Sequence, residues 1–328
     1  MKERVVVVGA GVIGLTCAVR LAEAGYDTHV LARDLPLESS SSAANGLWLP
    51  HPARTSQASS SQLVEWALVS LARLTELAEV PESGIDLVTG YLISRAEATL
   101  RPWWAGRLAD SIALEEISRP KPGFDSGWQV RTPVADVDTY LAYLGTRLEE
   151  AGGSITRMGL SALPQRGIVV NATGAAARWL IADESVTPVR SQVVLLSNPG
   201  LRTWCLDLDA DNDGSAPLYI VPRGDHVLVG ATADDAWDRN PTDRDTTSVL
   251  ARAIALEPRL ENADVLGQRV GTAPARPRVR LELVQGGAQA HERSLVHCYG
   301  HGLNGFTLAW GCAEDVLAAV QGIQQSLF

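Results

Sequence analysis

The residues best equipped for chemistry in this sequence sit in two glycine-rich turns at opposite ends of the chain. The first reads Gly9-Ala10-Gly11-Val12-Ile13-Gly14. Gly9 allows a tight turn, Gly11 lets the backbone approach a pyrophosphate, and Gly14 lets a helix pack close to a strand. A helix starting there faces the phosphates with unpaired N–H groups and a favourable dipole. The second turn lies in His297-Cys298-Tyr299-Gly300-His301-Gly302-Leu303-Asn304-Gly305-Phe306-Thr307. It reads as a strand, a turn, and a helix that keeps Leu308, Cys312, Val316, Val320 and Ile323 inward. One chain folding back to present two such helix N-termini suits a long cofactor touched at both ends, and FAD is such a molecule. The second terminus would stabilise negative charge on the reduced flavin.

The elements around the first turn give it its context. Arg4–Val8 is a run of β-branched residues expected to form a strand buried on both faces, and Leu15 to Ala24 has helical spacing that ends at Gly25. A second strand is expected over Thr28–Ala32, completing the βαβ setting that makes the glycine pattern specific. That strand ends Ala32-Arg33-Asp34. Asp34 can take the ribose hydroxyls, whereas Arg33 would suit a 2′-phosphate, so the first turn by itself leaves NAD, NADP and FAD open. Next come Ser39, Ser40 and Ser41, then Asn45-Gly46-Leu47-Trp48. This segment runs directly into apolar sequence, which fits a loop lying against a ligand with hydroxyls on phosphate oxygens better than a flexible surface loop.

Further along, helices are expected over Gln62–Ala78 and Ala135–Ala151, and strands over Ile85–Ser94 and Ile168–Val170. The latter strand runs into Asn171-Ala172-Thr173-Gly174. Gln192–Leu196, Leu218–Pro222 and His226–Val229 suggest an antiparallel sheet covering a substrate. The stretch from Trp103 through Pro120 and Pro122 carries no interpretable motif. Charged residues make up 20% of the chain and the net charge is −10, which argues against general affinity for nucleic acid or anionic membrane. No apolar run is long enough to span a bilayer or act as a leader, so a cytoplasmic enzyme is expected. Cys17, Cys205, Cys298 and Cys312 form no CxxC pair and read as small core residues. Asp207, Asp209, Asp211 and Asp213 resemble a calcium loop, but Leu218 stands where its final glutamate belongs, so no metal is expected.

The C-terminal turn closely resembles the signature of the D-amino-acid oxidase family, H-N-Y-G-H-G-G-Y-G-L-T-x-x-W-G. Leu218-Tyr219-Ile220-Val221-Pro222-Arg223 is similar to that family's P/A-Y-I-I-P segment. Gly271-Thr272-Ala273-Pro274-Ala275-Arg276-Pro277-Arg278-Val279-Arg280-Leu281-Glu282 is similar to its G-x-R-P-x-R-P-x-x-R-L-E segment. Gly46-Leu47-Trp48 matches its A-G-L-W loop, and Arg33 has a counterpart in fungal members, which weakens the case for NADP. The resemblance spans nearly the whole chain.

It implies an α/β fold with a Rossmann-like FAD-binding domain (1–78, 135–188 and 280–328) and an antiparallel β-rich α+β substrate-binding domain (79–134 and 189–279). It implies FAD held by residues 9–14, by Ala32, Arg33 and Asp34, by residues 39–41 and 45–47, by Met158 and Thr173, and by residues 302–307. Arg276 would clamp the substrate carboxylate, Tyr219 would lend it a hydroxyl, and the Leu303 carbonyl would accept from the amine. Hydride would pass from Cα to flavin N5, with dioxygen reoxidising the flavin and hydrogen peroxide released. No side chain need act as general base, and His297 and His301 are expected to support the turn. Ser215 and Ala233 stand where family members carry pocket tyrosines, and no second pocket arginine is evident beyond Arg223. Neutral D-amino acids are therefore the expected substrates, ahead of D-aspartate. Alternatives are a D-aspartate, glycine or sarcosine oxidase, a dinucleotide-binding regulatory protein without turnover, and an NADP-dependent reductase. Apolar residues on surface helices would permit a homodimer without requiring one.

Overall fold

The computed structural model describes residues 3–51, 61–94, 104–108, 111–207, 218–285 and 293–325. Asp209, Asp211, Asp213, Ser215 and Trp103 lie outside them. The four consecutive valines of β1 (Arg4–Val8) need cover on both faces, and β1 indeed lies between two parallel neighbours, β2 (Asp27–Ala32) and β7 (Ile168–Asn171). Between β1 and β2 runs α1 (Val12–Glu23), which buries Leu15, Ala18, Val19 and Leu21 completely. The other helices are α2 (Ser61–Leu77), α3 (Val137–Glu150), α4 (Ala177–Leu180), α5 (Asp243–Leu256) and α6 (Gly305–Gln325).

The described strands form one sheet of thirteen. Its remaining members are β3 (Ile85–Ser94), β4 (Leu114–Lys121), β5 (Phe124–Ala135), β6 (Ser154–Arg157), β8 (Thr187–Ser197), β9 (Trp204–Asp207), β10 (Leu218–Arg223), β11 (His226–Gly230), β12 (Val265–Val284) and β13 (Ser294–His301). The spatial order is β4-β5-β3-β9-β10-β11-β8-β12-β13-β7-β1-β2-β6. From β13 to β6 every pairing is parallel, as helix-covered strands require. From β12 outward all are antiparallel except β3 with β9.

The 20-residue β12 joins the two regions, pairing with β8 over Val265–Ala275 and with β13 over Ala275–Val284, with a register shift between Ala275 and Arg280. The expected helix from Ala135 starts two residues late, because Ala135 still belongs to β5 and Asp136 caps the helix by accepting from the Thr139 N–H. Part of the stretch that showed no motif, residues 114–122, belongs to the β4–β5 hairpin. None of the described helices is long and apolar enough to cross a membrane.

Candidate active site

The first turn is built as its glycines require. Gly9 has φ +116°, and a Cβ there would lie 2.4 Å from the Ala172 carbonyl oxygen. A Cβ on Gly14 would lie 1.9 Å from the Gly9 carbonyl oxygen, so helix and turn touch backbone to backbone. Gly11 faces only hydroxyls: its absent Cβ would meet Ser41 Oγ at 3.0 Å and Ser39 Oγ at 4.0 Å. The Val12 N–H donates to Ser41 Oγ at 3.0 Å, and Gly11 caps α1 without a side-chain bond. Serines 39 to 41 therefore roof the N-terminus of α1. The two distant turns also meet, since the Cβ position of Gly305, at the start of α6, is 3.4 Å from Val12 Cγ1.

Around this meeting point the chain is stitched by side chains. Asn304 Oδ1 accepts from the His51 N–H at 2.7 Å while Asn304 Nδ2 donates to the His51 carbonyl at 3.1 Å. Thr307 Oγ1 donates to the Leu49 carbonyl. Asn45 Oδ1 accepts from the Leu47 N–H, and Gly46 (φ +63°) packs against the Ala135 carbonyl. At the far end, Arg33 makes a bidentate pair with Asp34, and Arg239 reaches across to the same carboxylate and to the Glu38 carbonyl. Those cations hold the Asp34 carboxyl below the usual range. The Met158 N–H donates to the Ala32 carbonyl, and Thr173 bonds to Asn171, which in turn meets His297 Nδ1 at 3.1 Å. Leu303 is 39% exposed, which leaves its surroundings open to a ligand.

Burial holds the imidazoles of His51 and His297 neutral, pulling each down to about 4. His51 Nδ1 is buried without a hydrogen-bond partner. In the unfolded chain the same ring titrates near 6.5, so between about pH 6.5 and 4 the unfolded state binds more protons. Its contribution is complete above about pH 6.5 and is lost progressively as pH falls towards 4, by up to about 3 kcal/mol. Urea midpoints should therefore fall more gently over that window in His51→Gln than in the parent. Parallel curves would remove His51 as the cause.

The antiparallel region sets a wall against residues 40–46, where the Cβ position of Gly271 lies 2.8 Å from the Ser40 carbonyl oxygen. In β10, Tyr219, Val221 and Arg223 alternate onto one face, and the pairing puts Ser191, Val193, Gly230, Arg269, Gly271 and Ala273 on that face too. Tyr219 hydrogen-bonds with Ser191, and burial raises its phenol above the usual tyrosine range. Its hydroxyl lies 2.9 Å from where a Cβ on Gly230 would be.

Arg276 is not on this face. It falls at the opposite parity of β12, its side chain packs on Gly300, its Nε donates to Asp183 at 3.0 Å, and its guanidinium lies over the Tyr299 ring. With Arg278, Arg280 and Glu282 it lines a separate cleft of about 430 Å³. The Asp183 carboxyl is held well below its usual range: burial opposes this, but bonds from Ser185 and Tyr299 and the charge of Arg276 outweigh it. The structure thus does not bring Arg276 to Tyr219. The family pattern has three arginines, and the first of them falls at Ala273, the position that does face the wall.

The wall carries a cation that sequence reasoning undervalued. Arg223 is 7% exposed, its NH2 donates to the Ala44 carbonyl at 3.0 Å, and its Nε is buried without a partner. Among the described residues no carboxylate lies within ion-pair distance of it, and burial pulls its pKa down to about 10. Arg269, also on the wall, is taken up by Asp138 and the Ser42 carbonyl. The sequence offers Arg223 only as a weak candidate for a further pocket arginine, and the packed hairpin shows it buried on the face of Tyr219. A buried, under-compensated guanidinium against the 44–46 segment is an arrangement that receives anionic groups.

Comparison with known proteins shows the family and the fold. A family model described as DAO, FAD dependent oxidoreductase, matches residues 4–319. A D-amino-acid oxidase of Rubrobacter xylanophilus is 38% identical over 322 residues, covering 96% of this chain and 95% of the relative. A D-amino-acid oxidase of Streptomyces coelicolor is 38% identical over 318 residues, covering 95% and 94%. Among solved structures, glycine oxidase from Geobacillus kaustophilus superposes with a TM-score of 0.78 at 22% identity, covering 98% of this chain and 95% of that one, which establishes the fold.

Proposed function

We propose that this chain, which belongs to the DAO family of FAD-dependent oxidoreductases, is a cytoplasmic oxidase that converts D-amino acids and dioxygen to 2-oxo acids, ammonia and hydrogen peroxide. The observation that carries this reading is the meeting of the two helix N-termini at Val12 and Gly305, with residues 40–46 linking Val12 to a sheet wall that bears a buried cation. The residues present fit FAD. The cradle at Gly11 is open except for serine hydroxyls, and Arg223 Nε and His51 Nδ1 are buried polar atoms that the chain itself leaves unpaired.

In this reading the N–H groups of residues 10–14 and the hydroxyls of Ser39, Ser40 and Ser41 hold the pyrophosphate. Arg33 and Asp34 hold the adenosine end beside Ala32, Met158 and Thr173. Residues 45–47 and 302–307 face the flavin. The chemistry that bound FAD supplies is acceptance of a hydride from the substrate Cα, followed by electron transfer to dioxygen.

The chain's own part is orientation and exclusion of water. Tyr219 donates its hydroxyl to the substrate carboxylate, and the Leu303 carbonyl accepts from the amine. Arg223, in place of Arg276, supplies the positive charge that makes burial of that carboxylate affordable. With Arg269 committed to Asp138, one α-carboxylate consumes the cation the wall has to give, and a second carboxylate would be buried unpaired.

Neutral D-amino acids should accordingly give a higher kcat/KM than D-aspartate in a peroxide-coupled assay. The reading itself is tested by the visible spectrum of the purified protein before and after anaerobic D-alanine, D-valine or D-phenylalanine. An oxidised-flavin spectrum that bleaches is expected. A colourless protein, or a flavin that no D-amino acid reduces, would overturn it.

A further inference from the structure

Three of the four cysteines sit far apart in sequence, and the fold gathers them. Cys17 on α1, Cys298 on β13 and Cys312 on α6 are completely buried. The thiols of Cys17 and Cys312 both hydrogen-bond with Cys298. His301, 3% exposed at the end of β13, places Nε2 4.0 Å from the Cys298 sulfur. The donor atoms of Cys298, His301 and Cys312 all lie within 4.8 Å of one another.

We propose that Cys298, Cys312 and His301, with the Cys17 thiol hydrogen-bonded beside them, form a site for a thiophilic d10 cation such as Zn²⁺. Two thiolates and one imidazole are donors that zinc takes. With metal–ligand lengths near 2.3 Å to sulfur and 2.0 Å to nitrogen, tetrahedral donors stand roughly 3.6–3.8 Å apart. The three grouped donors need to close by about 1 Å or less, which side-chain rotation supplies without moving the backbone.

The charges also balance. Zn²⁺ entering at Cys298 and Cys312 forms two Zn–S bonds and displaces two thiol protons to solvent, with no change of oxidation state. Two thiolates and the dication leave no net charge in an apolar setting, and the Cys17 thiol stays protonated as a hydrogen-bond partner of Cys298. All of these side chains are buried, so the role is to tie α6 to β13, with α1 packed on them through Cys17, rather than to bind substrate. Those elements carry both glycine turns.

Elemental analysis of EDTA-washed holoenzyme from zinc-supplemented culture should read about one zinc per chain, and under about a tenth in the Cys298→Ser, Cys312→Ser double variant. Cys205→Ser, altered at the cysteine that stands apart on β9, should keep the metal. To separate metal loss from misfolding, chelator-stripped wild type is reloaded with Zn²⁺ alone. Tm should rise and about two protons per chain should be released. Less than about a tenth of a zinc per chain both as isolated and after reloading, or zinc retained by the double variant, would overturn the proposal.

Discussion

Arg223→Met should lower kcat/KM for D-alanine by roughly a hundredfold or more, chiefly through KM, while Arg276→Met should change it by less than about threefold. The difference follows from where each guanidinium is held. Arg223 lies on the face that carries Tyr219, has a buried Nε without a partner, and has no described carboxylate at ion-pair distance. A substrate carboxylate arriving there is compensated. Without the arginine it is buried against a neutral wall, a loss of order 2–5 kcal/mol. The carboxylate does not react, so ground and transition states lose alike and KM takes most of the effect.

Arg223 also bonds the Ala44 carbonyl, so FAD content and Tm need to be measured alongside the kinetics. Arg223→Lys, which keeps the charge without the fork, should recover part of the loss. Arg276 instead pairs with Asp183 at the rim of a different cleft, where its side chain is 22% exposed. Its removal should cost about 1 kcal/mol of stability and little catalysis. A hundredfold loss in Arg276→Met at unchanged Tm, with Arg223→Met near wild type, would restore Arg276 to the site.

That contrast marks how far the sequence is legible. The βαβ unit around residues 4–32 could be read because each cue is local: β-branched residues, three glycines, and an apolar helix face closed by Gly25. The C-terminal turn was legible for the same reason. Which face Arg276 occupies was not. Arginines 276, 278 and 280 repeat at the period of a strand, and only the pairing with β8, together with the register shift after Ala275, decides which way each one points.

Other misses were also non-local. Helix α5 buries only Thr246, Val249 and Ala253, a stripe too narrow to stand out behind the charged residues at its start. The β4–β5 hairpin has a largely exposed edge strand, and Pro120 interrupts its pattern. Cys17, Cys298 and Cys312 read correctly as buried, yet no spacing rule brings three helices' and strands' worth of chain to one point. That convergence is a property of packing alone.

Gly14→Ala should abolish FAD retention, because the added methyl has nowhere to go. Its Cβ would stand 1.9 Å from the Gly9 carbonyl oxygen, 2.9 Å from the Gly9 carbonyl carbon and 3.4 Å from Ala172 Cβ. Two of these atoms are backbone of the turn itself, and Gly9 is already fixed against the Ala172 carbonyl. Relief requires α1 to lift from β1, which carries the Val12 N–H away from Ser41 and separates the N-terminus of α1 from Gly305. Overpacking of this kind costs about 1–3 kcal/mol where side chains can yield, and more where backbone must move.

Phosphate binding at the N-terminus depends on that same position, so FAD affinity should fall at least about a hundredfold as stability drops. Two glycines calibrate the result. Gly25 has φ +96° but open space around its Cβ position, so Gly25→Ala should cost about 1 kcal/mol and keep FAD. Gly159 has neither a positive φ nor a neighbour within 4 Å, so Gly159→Ala should be within about 0.5 kcal/mol of wild type. The ratio of flavin to protein absorbance after desalting, with Tm read with and without added FAD, separates the three. Stoichiometric flavin in Gly14→Ala at wild-type Tm would mean that close approach of helix and turn is not what holds the dinucleotide.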